Sequence, residues 1–566
     1  MNGALHFFAY TALSVGLASS PSPAQGDYDQ RFQFDGTEEF GLASIVAFAG
    51  DVNGDGIDDF LIGAPHTSPN GIPFSGTATV YSGATGAIIY EYHGPKPGDG
   101  LGSAVSGAGD VDGDGVADFI IGAPDKDPGG VQAAGSVWVY SGANGTVIHR
   151  INGTSGGQLL GGSVAAAGDV DGDGFDDIIL GAPSERYADL YPAGAAYVYS
   201  GATGALLHRF ESSEWYSSFG TSVAGVGDTD GDGYDDVLVG APSYPVNGSS
   251  RGDAFLYSGA TGQLIRSLNS QSLGSHFGAD VSSAGDVDAD GIGDIVIGAS
   301  FTAIGSNQYA GSVFVYSGAT GAQLHRLDGT GSGKLGSSVS GAGDVNGDGH
   351  ADIIAGEQYA DPNGLTDSGS AYIYSGADGT ILHQFDGQSN SDEMGSNVAG
   401  GGNLNGDPYP DLLIGAVGAS PNGLQAAGSV YAHTFNPFMT SSSNEVSASA
   451  GGTIHFDLSF PETAALDEYK ILISASGTGP THYGVDIPLT VDNIVIQTYF
   501  GNYPIASHSG MHGSLDSSAM ATASADIPAG AYSSYVGLTL HMAAIANQPG
   551  SLPQHSSVAV PLLITP

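Results

Sequence analysis

The apolar residues of this chain come in short runs, Phe60–Ala64, Phe119–Ala123 and Ile178–Ala182 among them, each bounded by turns of Gly, Asp or Asn. Runs of this length between such turns predict buried strands, and no stretch sustains the 3.6-residue period of a helix. The runs also repeat. GDVNGDGIDDFLIGAP at Gly50–Pro65 returns as GDVDGDGVADFIIGAP from Gly109, GDVDGDGFDDIILGAP from Gly168 and GDTDGDGYDDVLVGAP from Gly227, with looser copies from Gly285, Gly343 and Gly402. The leading positions, Asp51, Asp110, Asp169, Asp228, Asp286, Asp344 and Asn403, are 58 or 59 residues apart. Behind each of the first six loops comes a strand ending in YSGATG or a near variant, at Tyr81, Tyr140, Tyr199, Tyr257, Tyr316 and Tyr374, then a fourth short run such as VIHRI ending at Ile151.

Seven units of four strands predict an all-β, seven-bladed propeller, because radial repetition protects strand edges where one open twisted sheet of that size would not hold. The seventh unit ends at Phe435 without a fourth strand. Its missing strand lies at the other end of the repeat region. YDQRFQFDG at Tyr28–Gly36 matches ILHQFDG at Ile381–Gly387, and Phe34 precedes Asp51 by 17 residues where Phe385 precedes Asn403 by 18. An N-terminal strand completing blade seven would lock the ring.

Each unit carries oxygen-bearing side chains at positions 1, 3, 5 and 9 of a nine-residue loop. Such a turn points them at one centre, and Ca2+ takes roughly six to eight oxygens at about 2.3–2.6 Å. Units two to five offer Asp110, Asp112, Asp114 and Asp118; Asp169, Asp171, Asp173 and Asp177; Asp228, Asp230, Asp232 and Asp236; and Asp286, Asp288, Asp290 and Asp294. Units one and six place Asn at position 3, giving Asp51, Asn53, Asp55 and Asp59, and Asp344, Asn346, Asp348 and Asp352. The carbonyl of Val116 is the expected position-7 ligand in unit two, and Gly115 at position 6 permits the positive φ of the turn. Unit seven departs from the pattern, with Asn403, Asn405, Asp407 and Asp411, because Pro408 stands where the positive-φ Gly belongs. About six Ca2+ sites are therefore expected, the seventh loop being the exception. EF-hand and dockerin loops are excluded, since they need a carboxylate at position 12, which is apolar here from Ile62 to Ile414.

At these residues the chain resembles the FG-GAP repeats of the integrin α-subunit N-terminal propeller. Phe-Gly pairs stand at Phe40-Gly41, Phe219-Gly220 and Phe277-Gly278, and Gly-Ala-Pro at Gly63–Pro65, Gly122–Pro124, Gly181–Pro183 and Gly240–Pro242. The resemblance covers residues 27–435. It implies calcium on the face of the first-to-second strand turns and ligand binding on the opposite face.

Composition sharpens this picture. Gly numbers 93 of 566 residues, the turns of a repeat protein, and Cys is 0, so neither disulfides nor zinc–thiolate sites brace it. Lys+Arg 11 against Asp+Glu 59 gives a net charge of -48, which leaves no cationic surface for nucleic acid. Within the nine-residue loops lie 27 of those 59 acids, so much of the charge belongs to the expected metal sites. The apolar run Leu5–Ala18, followed by Ser-Ser-Pro-Ser-Pro-Ala, reads as a signal peptide over residues 1–24, and no other run approaches a membrane span. After a Ser-rich linker at 436–450, residues 451–566 alternate apolar and polar positions between Gly and Pro turns, as in a β-sandwich.

Several suggestive strings read as structure. Arg251-Gly252-Asp253 occupies the Gly that opens a third strand, GTGSGK at Gly329–Lys334 lacks phosphate-loop spacing, and His149, His208, His325 and His383 recur at nearly equivalent fourth-strand positions. The connections expected opposite calcium hold Lys96, Arg186, Tyr187, Tyr191, Trp215, Tyr216, Tyr244, Tyr309 and Tyr359. Aromatic tips on rigid blades suit recognition. The expectation is a secreted or cell-surface adhesion or ligand-binding module for an extracellular protein or carbohydrate. The alternative is an extracellular polysaccharide-degrading enzyme, a lyase or hydrolase, on the same scaffold.

Overall fold

The computed structural model describes residues 26–437, apart from 189–190, 247–248, 271 and some side chains, together with separate segments between 439 and 565. The leader read over residues 1–24 lies outside the described residues. Seven four-stranded antiparallel sheets form the blades of a propeller, each in the spatial order first to fourth strand. Blade seven is the composite. Its fourth strand is Gly26–Asp35, paired antiparallel with the third strand Ser429–Pro437 so that Tyr28 faces Phe435 and Phe34 faces Val430, with a bulge between Gln30 and Phe32.

Every residue of the second strand is buried in all seven blades, from Asp59–Ala64 to Asp411–Ala416. Neighbouring blades cover both faces, which is why these strands read as continuous apolar runs. First strands are poor in bulk because they crowd together: a Cβ on Gly225 would stand 2.7 Å from the Ala166 carbonyl oxygen of the previous blade.

Hydrogen bonds join the blades at two radii. On the first strands, the Val46 amide donates to Asn397 Oδ1 at 2.9 Å, Val223 to Ser163 Oγ at 3.1 Å and Val339 to Asp280 Oδ2 at 2.8 Å. Farther out, a long side chain on one fourth strand clamps the turn carbonyl of the next blade: Arg31 on Gly83, Tyr90 on Gly142, His149 on Gly201, His208 on Gly259, Arg266 on Gly318 and His325 on Gly376. The recurrent histidines are thus inter-blade clamps. His383 differs because blade seven has no such turn, and its ring packs edge-on against Tyr28 of the closing strand with centroids 5.0 Å apart.

One motif assignment is corrected. Phe219, Phe277, Leu160 and Leu335 fill inter-blade cores, whereas Phe40 is 49% exposed. In blade one the structural counterpart of Phe219-Gly220 is Ala43-Ser44: the Ser44 amide donates to the Gly63 carbonyl as that of Gly220 does to Gly240. Phe40 precedes Asp51 by eleven residues, against nine from Phe219 to Asp228, so the dipeptide matches in letters but not in register.

Among the described residues after 438, strands form a three-stranded sheet around Gly452–Ser459 and a larger one around Glu468–Ser474 and Thr539–Asn547. Ile454, Phe456, Leu458, Ile471, Leu472, Met542 and Ile545 are buried there. Residues 493–500, within the region read as a β-sandwich, lie outside the described residues. No helix among the described residues is long and apolar enough to cross a membrane.

Candidate functional site

The nine-residue loops join first to second strands, and their carboxylates first of all fold the loops themselves. In blade two, Asp110 Oδ1 accepts the amides of Gly113 and Asp114 at 2.8 and 3.1 Å, and its Oδ2 accepts that of Gly115 at 2.9 Å. Gly115 at position 6 has φ +86, as the sequence requires, and Gly113 at position 4 has φ +74. The position-4 requirement passed unnoticed in the sequence because in blade five a non-glycine, Ala289, takes the same conformation at φ +59.

Position 9 is the anchor. Asp118 is fully buried, with Oδ2 accepting the Val111 amide at 3.0 Å and Oδ1 that of Gly142 at 2.9 Å, so one carboxylate ties its loop to the turn of the same blade. Asp59, Asp177, Asp236, Asp294 and Asp352 repeat this bridge, and Asp411 of blade seven, which has no such turn, joins the Leu404 amide to that of Phe435 in its third strand. Burial raises their pKa, to about 6 for Asp59, Asp118, Asp177 and Asp294 and to about 7 for Asp411.

Oxygens of Asp110, Asp112 and Asp118 lie within 4.8 Å of one another, and the equivalent sets Asp169, Asp171, Asp177 and Asp228, Asp230, Asp236 converge likewise. In blade five the converging trio is Asp286, Asp288 and Asp290, and Asp288 Oδ1 is buried with no hydrogen-bond partner. That orphaned oxygen, in an all-oxygen donor set, fits a hard cation. Asp114, Asp173 and Asp232 stand outside the converging trios, and Asp114 Oδ1 accepts the Val116 amide at 3.0 Å. Blades one, six and seven gather no such trio of acids among the described residues. There Asn53 Nδ2 donates to Asp59 at 2.9 Å, Asn346 Oδ1 accepts the Asp348 amide at 3.0 Å, and Asn405 Nδ2 donates to Asp407 at 2.8 Å. A flip of the Asn53 amide would turn its oxygen to the loop centre.

The loops are also linked to one another. Asp176, at position 8 of blade three, accepts the Asp110 amide of blade two at 2.9 Å, and Asp235 accepts that of Asp169 at 2.9 Å. Asp58 does the same for Asn403 at 2.8 Å across the closure between blades seven and one.

These roles can be separated experimentally. Asp118→Ala orphans two buried amides at about 1–3 kcal/mol each and is expected to lower the melting temperature with or without calcium. Asp112→Ala removes an exposed carboxylate and is expected to lower it only when calcium is present. Thermal melts in calcium and in chelator give the four values.

On the opposite face, the second-to-third connections of blades one, two, six and seven share one turn, Pro69–Gly71, Pro128–Gly130, Pro362–Gly364 and Pro421–Gly423. Blades three, four and five depart from it. Arg186–Tyr187 and Tyr191–Pro192 form a small hairpin on blade three, whose Tyr191 ring lies 6.0 Å from Tyr187 and 5.0 Å from Trp215. Trp215 and Tyr216 are each 64% exposed. Tyr244 instead packs edge-on against Phe255. On blades five and six, Tyr309 meets Phe301 edge-on and Lys334 Nζ lies 5.0 Å from the Phe301 ring and 4.3 Å from that of Tyr359. Phe301 and His276, whose rings stack with centroids 4.2 Å apart, carry no spacing that marks them in the sequence, and Lys334 reads there only as the end of GTGSGK. Arg251 and Asp253 close on each other in a bidentate pair with Asp253 buried, so the adhesion tripeptide is turned inward.

Comparison with known proteins places this geometry. The FG-GAP repeat model matches residues 43–81, 101–140, 160–199, 219–257 and 335–374. The chain is 34% identical to integrin alpha-V of Gallus gallus over 205 residues, 34% of this chain and 19% of that protein. It is 32% identical to integrin alpha-5 of Xenopus laevis over 302 residues, 49% of this chain and 27% of that protein, and 35% identical to human integrin alpha-IIb over 178 residues, 29% and 16%. The matched span is thus about a quarter or less of the length of these relatives.

Proposed function

We infer, starting from a ring that is an integrin-α-like FG-GAP propeller, that this chain is an extracellular adhesion or ligand-binding module braced by calcium. The observation that carries the binding role is the hairpin by which blade three departs from the common turn, which sets half-buried Tyr187 and Tyr191 beside exposed Trp215 of the next connection as one aromatic platform. Rigid aromatic side chains supply contact area at low entropic cost, which suits a carbohydrate or protein ligand. Calcium is assigned to the loops of blades one to six, with blade seven the weakest because Pro408 replaces Gly and two amides replace carboxylates. Positions 1, 3 and 9 are the primary ligands in blades two to four, and positions 1, 3 and 5 in blade five. The domain division is a leader at 1–24, the propeller at 27–435, a linker at 436–450 and a β domain at 451–566. A leader suits export to a calcium-rich, oxidising exterior, where a chain with no cysteine needs another brace.

Binding of the full chain to a glycan and protein array, repeated with Trp215→Ala, tests the reading. Trp215→Ala is expected to weaken the bound ligand about tenfold or more without lowering the melting temperature, since the ring is exposed. An array on which wild type and variant bind the same ligands equally removes the platform from the binding role.

A further inference from the structure

The repeat allows each blade to be compared with six others, and blade two breaks the pattern at one cleft. The residue whose carbonyl accepts the amide of the third-strand Gly is Thr67, Glu185, Tyr244, Thr302, Ala360 or Ala419 elsewhere, but Lys126 here. Lys126 is 5% exposed, ion-paired to Asp99 at 2.6 Å, and its Nζ stands 5.6 Å from the Trp138 ring. Arg150, opposite Trp138 on the fourth strand, has its guanidinium 5.4 Å from the same ring.

Arg209 and Arg326 occupy the equivalent place in blades three and five, and each is neutralised two residues on, by Glu211 at 2.8 Å and Asp328 at 2.8 Å. In blade two that position is Asn152. Arg150 is therefore exposed with no carboxylate in ion-pair range among the described residues, and so is Lys96 on the blade one to blade two connection. Lys96, Lys126 and Arg150 line one cleft of about 420 Å³ between blades one and two. Three of the chain's 11 basic residues thus meet in one place on a protein of net charge -48; Asp99 neutralises Lys126, which leaves Lys96 and Arg150 against the one lining carboxylate, Asp127.

We propose that this cleft binds a saccharide carrying a carboxylate. Lys96 and Arg150 at the rim pair with the carboxylate, while the buried Lys126–Asp99 ion pair, neutral in itself, fixes the floor beside Trp138. Pro95, Pro128 and the Trp138 ring, over which Lys126 and Arg150 lie, share the lining with the cations and offer apolar surface to the C–H faces of a pyranose ring. An acidic peptide would use the cations and leave those walls idle. The proposal deepens the reading of the ring as a ligand-binding module, at a place separate from the Trp215 platform.

The probe is a tetrasaccharide of alternating glucuronate and N-acetylglucosamine, titrated calorimetrically into the full chain at fixed calcium beside its carboxyl-reduced counterpart and a Glu-rich peptide. The expected result is binding of the acidic sugar alone, weakened by added salt and at least about tenfold by Lys96→Gln combined with Arg150→Gln, at an unchanged melting temperature because both side chains are exposed. Equal binding of the carboxyl-reduced sugar, no binding of the acidic one, or indifference to the double substitution overturns the proposal. So does a peptide that binds as tightly. Trp215→Ala is expected to leave this titration unchanged, so failure here and failure of the aromatic platform are read separately.

Discussion

Removing calcium is expected to lower the melting temperature of the propeller by on the order of 10 °C at pH 7. A site held at a hundred times its dissociation constant adds about 2.7 kcal/mol, so the four loops whose acids converge add about 11 kcal/mol together, comparable with the whole stability of an ordinary domain. The pH dependence gives the test a sign. Without cation, the folded ring holds Asp59, Asp118, Asp177 and Asp294 at a pKa of about 6, above the ordinary unfolded value of about 3.9. The folded state then binds more protons than the unfolded one between those values. Their contribution is complete below about pH 3.9 and is lost as pH rises through about 6. With calcium the slope reverses over the same window, because the cation needs its ligands ionised, Asp118 and Asp177 among them. Melts of protein freed of metal on a chelating resin, taken from pH 4 to 7 with and without added calcium, should cross. Parallel curves would remove calcium from the loops.

What the sequence made legible was whatever the repeat wrote seven times. The spacing of Asp110, Asp112, Asp114 and Asp118 predicts a loop with inward oxygens, and three of the four converge; a count of ligands could not reveal that Asp118 also fastens a turn 24 residues away. The YDQRFQFDG match predicts the closing strand, because strand pairing fixes which side chains face the core. Phe40-Gly41 misled because two residues were compared without their distance to the loop. Pairs such as Lys126 with Asp99, or Lys334 with Tyr359, join different connections and leave no local period, so only the folded ring brings them together. Even so, aligning the seven units would have marked Lys126 and Asn152 as the places where blade two departs from its neighbours.

Deleting residues 26–36 is expected to cost more than any single substitution, because it removes a strand that belongs to two interfaces at once. Tyr28 packs edge-on against His383, Phe385 and Phe435 between blades six and seven, while Phe34 packs on Phe60 and Tyr81 between blades seven and one. Arg31 clamps the Gly83 and Ala84 carbonyls of blade one. Tyr28→Ala alone is expected to cost about 3 kcal/mol, as for other large buried rings. Losing the whole strand also leaves Ser429–Pro437 as a bare edge, with its hydrogen-bonding groups open to any second chain. The deleted protein should therefore melt early and broadly and associate through that edge, as seen by calorimetry and light scattering. Adding the peptide YDQRFQFDG in trans should restore the monomer and much of the melting temperature, since the groove it fills is specified by register and by three aromatic contacts at Tyr28. A deletion that melts like the intact chain, or a scrambled peptide that rescues equally well, would mean that the ring is not closed by this strand.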